Sequence, residues 1–144
     1  MPDKQAHWNR AKHNQEFVDS FELANTPYHD WILVAYFYKA LHLVDCLFAA
    51  RDSRHFSRHS ERMTGVYHSR HLNAVYNDFQ YLYERSREVR YDCQYPTAAE
   101  LRDEIEPRAE RIEQCVRRHL AAMNLMHGLE TEDTKKDSDD VRAQ

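Results

Sequence analysis

The residues best suited to chemistry in this 144-residue chain are histidines and arginines near its middle. Four of the ten histidines fall within seventeen residues, and they are His55, His59, His68 and His71. The first two are four residues apart and the last two are three apart, so each pair could share a helix face and bind zinc or iron. The one nearby carboxylate, Glu61, would point elsewhere on a helix. We therefore predict a solvated basic loop, with no metal and no cofactor.

Arginines of the same stretch, and of the helix that follows it, predict a ligand site. Guanidinium forks and aromatic planes are the groups that bind phosphates and unstacked bases. Four arginines would converge if the loop folds back over the end of the helix, and they are Arg58, Arg62, Arg87 and Arg90. The predicted ligand-binding residues are Arg54, His55, Arg58, Arg87, Arg90 and Tyr91. The alternative is that these arginines pair with Glu61, Glu84 and Glu88 and only fix the loop.

Composition predicts the fold that must position these side chains. The chain has only 2 Gly and 4 Pro, whereas a sheet protein needs many tight turns built from such residues. We predict an all-α, four- or five-helix up-and-down bundle, with a long basic loop between the second and third helices. The bundle domain is placed at residues 1–128 and a disordered charged tail at 129–144. The net charge of −4 does not favour non-specific binding to nucleic acid.

The central helix of this bundle is predicted at residues 31–50, which are nearly all apolar. Three polar residues recur on one side of it at a helical period, namely Lys39, His42 and Asp45. They exclude a membrane span. We expect Lys39 to contact a partner subunit and His42 to bond to Asp45. The three cysteines lack metal-type spacing, which predicts free thiols. The polar sequence after Met1 predicts that there is no signal peptide, and we therefore expect a cytoplasmic protein.

The bounds of the other helices are predicted from apolar residues at helical spacing and from capping and helix-breaking residues. A first helix is predicted at residues 4–24, and a second starts at the Thr26-Pro27 cap. Residues 51–66 are predicted to form an ordered loop or a short helix inside a long connection, and residues 67–91 a third helix. Thr97 caps a fourth helix, which Pro107 should kink or split and Gly128 should end.

These residues together give the chain a family resemblance. The second helix is aromatic and carries small and polar residues on its inner face (35–42). A histidine-containing connection (55–62) precedes the third helix. The third helix ends in Arg90-Tyr91. The opening residues 7–11 also fit. Over residues 5–125 the chain resembles HEPN domains, which are small dimer-forming helical bundles of bacteria and archaea. The resemblance implies a homodimer, and many members of the family cut RNA without a metal or act as toxins paired with a nucleotidyltransferase.

The active motif of that family is an Arg followed four to six residues later by a His. In this chain Arg54 to His59 and Arg62 to His68 have that spacing, but both pairs lie earlier in the bundle than the family motif. The resemblance therefore implies His59, Arg62 and His68 as catalytic residues, with His moving the 2′-hydroxyl proton and Arg holding the phosphate.

A homodimer is also predicted from the third helix itself. Its apolar and aromatic residues occupy more than one side, and they include Tyr76, Phe79, Tyr81, Leu82 and Tyr83. A second apolar face suggests a seam between two copies.

Three functional hypotheses follow from the sequence. The first is a protein that binds RNA or a nucleotide-like phosphate ligand through its Arg/His-rich loop. The second is a metal-independent endoribonuclease. The third is a non-catalytic dimeric scaffold, or a partner in a toxin–antitoxin-type system that binds the product of a neighbouring gene.

Overall fold

The structure, a computed structural model, describes residues 1–130, and its regular elements are all helical, with no strand in that range. The helices are α1 Lys4–Asp19, α2 His29–Asp52, α3 His59–His68, α4 Tyr76–Tyr91, α5 Ala98–Glu100 and α6 Glu106–Ala122. A 3₁₀ turn at Asn73–Val75 precedes α4, and a π-helical segment at Leu101–Ile105 joins α5 to α6. The predicted all-α class is confirmed.

The body extends beyond the predicted domain limit at residue 128. Leu129 is buried in the core, and the Glu130 carboxylate lies 3.2 Å from the Arg117 guanidinium. The rest of the predicted disordered tail, residues 131–144, lies outside the described residues.

Helix α2 is the centre of the body, and α1, α4 and α6 all pack against it. By length and composition it could cross a membrane, but 83% of its apolar window is buried inside the structure. The neighbouring helices α1, α4 and α6 cover most of this window.

Contacts between side chains fix the directions of α1 and α2. The Cys46 thiol lies 3.2 Å from the Lys4 carbonyl, and the Lys39 ammonium lies 2.6 Å from the Gln15 side-chain oxygen. Residue numbers rise along α1 as they fall along α2, so the two helices are antiparallel.

The relation between α4 and α6 follows in the same way. Asp78 accepts hydrogen bonds from Arg111, and Arg85 pairs with Glu100 on the segment before α6. These helices are therefore antiparallel too. Lys39 pairs with Glu113 of α6.

The fourth predicted helix starts after Thr97, as predicted, and a π-helical segment interrupts it just before Pro107. The Thr97 hydroxyl accepts a hydrogen bond from the Glu100 backbone N–H at 3.1 Å, which confirms the cap. Pro107 lacks an N–H, and its ring excludes ordinary α-helical geometry with the residue four positions earlier. The chain accommodates it with a π-helical turn in which the Glu106 N–H bonds to the Leu101 carbonyl.

One predicted boundary is wrong in each of the first, second and fourth predicted helices. α1 ends at Asp19 rather than residue 24, and α2 begins at His29 because the Thr26 hydroxyl accepts from the Tyr28 N–H instead of capping a helix. Helix α6 ends before Gly128. Asn124 takes a left-handed φ of 57°, and the Leu125 N–H bonds to the Leu120 carbonyl, which is a Schellman ending.

The long connection after α2 contains a short helix, α3, so the second of the two alternatives for residues 51–66 is the one observed. The chain then turns at residues 69–75, and the predicted third helix starts only at Tyr76. The long basic loop is therefore a six-residue link, residues 53–58, followed by ordered helix.

The extra aromatic residues of α4 pack inside the chain. Tyr83 contacts His59, and Tyr81 lies under the Arg108 guanidinium at 4.0 Å. A group of exposed aromatic residues, Phe17, Tyr28 and Trp31, lies in an apolar groove of about 500 Å³ between α1 and α2. The homodimer and its seam on this helix stay predictions, since Tyr76, Tyr81 and Tyr83 are half-buried. Of the three cysteines, Cys46 and Cys115 are buried and Cys93 is exposed.

Phe37 joins the core to the α3–α4 region, because it is fully buried and its ring contacts those of Tyr38, His59, Phe79 and Tyr83. We expect Phe37→Ala to lower the free energy of unfolding by about 3–5 kcal/mol, since it removes a buried ring and leaves a cavity. Phe37→Leu should cost clearly less. Urea denaturation measures both losses. A loss below about 1 kcal/mol for the alanine variant would show that the packing of the core against α3 and α4 does not depend on this ring.

Candidate phosphate-binding site

A buried ion pair between Asp45 of α2 and Arg62 of α3 holds the candidate site in place. Arg62 Nε donates to Asp45 Oδ1 at 2.7 Å and Nη2 donates to Oδ2 at 3.0 Å. Nη2 also donates to the Phe56 carbonyl at 3.2 Å. Both side chains are at most 7% exposed. The guanidinium of Arg62 is therefore occupied within the chain, and its role is to position α3.

His59 lies one helical turn before Arg62 and faces the same region. Its Nδ1 is 3.3 Å from Arg62 Nη1, and its ring lies beside those of Tyr83 and Phe37, with centroids 5.2 and 5.9 Å away. Burial, followed by the positive charges of Arg62 and Arg90, lowers the pKa of His59. The imidazole is therefore neutral at pH 7 and can accept a proton.

Arg90 reaches the same place from the end of α4. Its Nη1 donates to the Tyr38 hydroxyl at 2.9 Å and its Nε donates to the Ser86 carbonyl at 3.2 Å. The guanidinium also lies 5.8 Å from the centre of the Phe37 ring and 5.2 Å from that of Tyr91. Within residues 1–130 no carboxylate pairs with it, so its charge is available to an anion.

Arg87 adds positive charge beside Tyr83, and Arg58 directly precedes His59 at the start of α3. Both are exposed, and the Arg87 guanidinium lies 5.9 Å from the centre of the Tyr83 ring. The predicted pairing of these arginines with Glu61, Glu84 and Glu88 is wrong for the described part of the chain. Glu88 instead pairs with Arg85 at 2.8 Å.

We call this set, His59, Arg58, Arg87 and Arg90 around the rings of Tyr83 and Tyr91, the α3–α4 site. Of the four arginines predicted to converge, Arg62, Arg87 and Arg90 lie around the rings of Phe37, His59 and Tyr83, and the guanidinium of Arg62 is turned to Asp45. A shallow groove beside the site is lined by Arg87, by Tyr91, which is 70% exposed, and by the carboxylates of Glu84, Glu88 and Asp92.

Three predicted residues lie apart from the α3–α4 site. Arg54 covers the Phe56 ring at 4.6 Å, and His55 lines a separate groove near the start of α1. His68 ends α3, about 14 Å along the helix axis from His59 at 1.5 Å per residue. Its imidazole contacts Tyr67.

Two expectations for the polar strip of α2 are corrected. His42 does not bond to Asp45, because Arg62 holds both carboxylate oxygens of Asp45. The Nδ1 atom of His42 instead lies 3.1 Å from the Nδ1 atom of His7. Lys39 is buried and bonds to Gln15 and Glu113 within the chain, not to a partner subunit.

Sequence reasoning missed Tyr38 and Tyr83 as members of the site and missed the partner of Asp45. A buried carboxylate on an apolar helix signals that a cation must reach it, because an unpaired buried charge is too costly to retain. That signal could have predicted a buried basic partner for Asp45, although not which residue it is.

Among residues 1–130 no three His, Cys, Asp or Glu side chains are grouped to hold a metal ion. We found no match to this chain among protein-family models, curated proteins or solved structures. The case for the α3–α4 site therefore rests on its geometry.

We expect Asp45→Ala to lower the free energy of unfolding by about 3–5 kcal/mol, because it leaves the Arg62 charge buried and unpaired. The double variant Asp45→Leu, Arg62→Met should recover much of that loss, since it removes both charges. Arg102→Ala, which removes an exposed pair with Asp103, serves as the control and should change stability by less than about 1 kcal/mol. Equal losses in the single and double variants, measured by urea denaturation, would contradict this account.

A second expectation concerns stability in acid. Burial, then the neighbouring His7, lowers the pKa of His42 from 6.5 to about 4. Between these values the unfolded chain binds a proton that the folded protein does not, so stability falls as pH drops from 6.5 to 4 and is unaffected above. The pKa values of His7 and His59 are lowered as well and act in the same direction.

After allowance for partial solvent screening, we expect His42 to contribute roughly 1–2 kcal/mol of this acid sensitivity. Denaturation of wild type and His42→Gln at several pH values measures it, and the variant should show a shallower loss. The exposed His13→Gln variant is the control. Identical pH profiles for wild type and His42→Gln would refute the assignment.

Proposed function

We propose that the protein binds the phosphate groups of single-stranded RNA, or of a nucleotide, at the α3–α4 site. The observation that carries the proposal is that Arg87 and Arg90 lie on the same end of α4, beside the rings of Tyr83 and Tyr91, and form no ion pair within residues 1–130. The exposed Arg58 directly precedes His59 at the start of α3. Arginines placed this way bind phosphate strongly, because their forks are preorganised and their charges are not already neutralised.

Aromatic rings beside these arginines favour RNA over a bare anion. Tyr91 is exposed and lies next to the Arg90 guanidinium, so a base could stack on its free face while the arginines hold the backbone. Double-stranded RNA would not offer its bases to such a surface, which is why we propose a single strand.

HEPN membership, a homodimer, a partner encoded by a neighbouring gene and a cytoplasmic location accompany this proposal as hypotheses. The helical body, with a His- and Arg-bearing segment between its second and third long helices, supports the resemblance. A scaffold that binds no ligand would not require the arginines of the α3–α4 site, which form no ion pair within residues 1–130.

Metal-independent RNA cleavage is the second candidate, and the neutral His59 favours it as a proton acceptor next to bound phosphate. Two features weigh against it. Arg62 is fully bonded within the chain, and His68 lies too far along α3 to act as the second proton-transfer group. Cleavage would need that group from a partner subunit.

We expect wild type to bind a fluorescent single-stranded oligonucleotide of RNA and the double variant Arg58→Ala, Arg87→Ala to bind it at least about tenfold more weakly, since charged hydrogen bonds contribute about 1.5–3 kcal/mol each. The exposed position of both side chains keeps the fold intact. Fluorescence anisotropy at several salt concentrations measures the affinity, and the slope of log affinity against log salt should fall by about 1 for each lost phosphate contact.

Arg102→Ala is the matched control, because it removes an exposed arginine that is already paired with Asp103. It should bind RNA like wild type. If the double variant and the control bind equally well, the α3–α4 site does not bind RNA.

Cleavage is tested separately by incubating wild type and His59→Ala with total RNA in the presence of a chelator. Cleavage by wild type that disappears in His59→Ala would establish the enzyme. Intact RNA in both, together with the binding described above, would leave a binding protein.

A further inference from the structure

The apolar groove between α1 and α2 is lined by aromatic and aliphatic side chains, and no charged residue of the described chain lines it. Five of its lining residues are aromatic, namely Phe17, Phe21, Tyr28, Trp31 and Tyr38. We call it the α1–α2 groove. Its surface suits a flat apolar group rather than an ion.

The rings in this groove are unusually open to solvent. Phe17, Tyr28 and Trp31 are between 41% and 56% exposed. Phe21 fixes two of them edge-on, with its ring centre 5.0 Å from that of Phe17 and 6.1 Å from that of Tyr28. No aromatic ring of residues 1–130 packs against Trp31, so both faces of its indole are open to a ligand. Exposed aromatic groups collected in one groove mark a binding surface.

Tyr38 connects this groove to the α3–α4 site. Its ring lines the groove, its hydroxyl accepts the hydrogen bond from Arg90 at 2.9 Å, and the Arg90 guanidinium lies 5.5 Å from the centre of its ring. Trp31 precedes Tyr38 by seven residues on α2, which is about 10 Å along the helix axis on nearly the same face. The groove therefore begins at the arginines of the α3–α4 site and leads away from them.

This continuity selects the chemistry of the occupant. A ligand that covers both regions must be anionic at one end, where Arg90 lies, and flat and apolar at the other, where Trp31 lies. A single nucleic-acid strand has both properties, because its phosphates bind guanidinium groups and its unstacked bases stack on aromatic rings. A bare phosphate would not use the rings, and an apolar protein surface would not use the arginines.

We propose that the α1–α2 groove holds the bases of the single strand whose phosphates bind at the α3–α4 site, with one base stacked on the Trp31 indole. This role of the groove rests on the proposed function of the α3–α4 site and specifies its ligand as a strand that carries bases. Every base has a π-face, so stacking of this kind tolerates any sequence.

Tryptophan fluorescence reports directly on such stacking. The chain has two tryptophans, and Trp8 is only 2% exposed, so a bound strand reaches Trp31 alone. A base stacked on an indole quenches its fluorescence. Titration of wild type with single-stranded RNA of about eight nucleotides should give saturable quenching over the concentrations at which anisotropy reports binding. Trp31→Phe keeps a ring without the fluorophore, so it should bind RNA nearly as well and show no quenching.

The affinity of Trp31→Leu measures the contribution of the ring. We expect it to bind the RNA at least about fivefold more weakly than wild type. Its slope of log affinity against log salt should equal that of wild type, because no phosphate contact is lost. Tyr67→Leu is the matched control, since Tyr67 is 59% exposed on α3 and does not line the groove. An abasic strand with the same phosphates should bind wild type and Trp31→Leu equally and quench neither.

Failure of this proposal is distinguishable from failure of the proposed function. If RNA binds and Arg58→Ala, Arg87→Ala weakens it, but fluorescence does not change and Trp31→Leu binds like Tyr67→Leu, the bases lie elsewhere and only the groove proposal is overturned. If no RNA binds wild type, both proposals fall. If Trp31→Leu instead converts a dimer to a monomer without RNA, as measured by sedimentation velocity, the groove is an interface between two copies of the chain.

Discussion

The ion pair between Asp45 and Arg62 decides how the middle of the chain is arranged. Moving each charge out of water costs several kcal/mol of desolvation free energy. The attraction between the two charges in good geometry offsets about that amount. The pair therefore adds little net stability, but any arrangement that separates it is strongly disfavoured. The bidentate contact accordingly fixes which face of α3 meets α2 and puts His59 beside Phe37 and Tyr83.

Close packing supports the same contact. Gly65, one turn after Arg62, is buried, and a Cβ at this position would come within 2.7 Å of the Phe56 ring. Phe56 in turn packs edge-on against Phe48 of α2 and supplies the carbonyl that accepts from Arg62. The short link before α3 is thus held by a ring, a carbonyl and an ion pair, which explains why a stretch that looks like a polar loop in the sequence is an ordered helix.

Much of the fold could be predicted, because helical periodicity and capping are local properties. Thr97 caps a helix and Pro107 follows an interruption of it, as predicted. The apolar run of α2 forms the central helix of the body. Tertiary pairing decided the rest. Nothing near Asp45 in the sequence indicates that its partner lies 17 residues away, so Arg62 looked like an exposed phosphate ligand. Arg87 and Arg90 share a helix end, so their proximity could be predicted from helical spacing. The distance between His59 and His68 could not, because the sequence left open whether residues 51–66 form a loop or a short helix.

The exposed thiol at Cys93 has a practical value. The chain holds only three cysteines, and burial protects Cys46 and Cys115 while raising their pKa values. Cys93 follows α4 two residues after Tyr91, at a backbone φ of 54°. A maleimide fluorophore would therefore attach at one place on the unmodified protein, at the rim of the arginine cluster, and report on that region without any engineered residue.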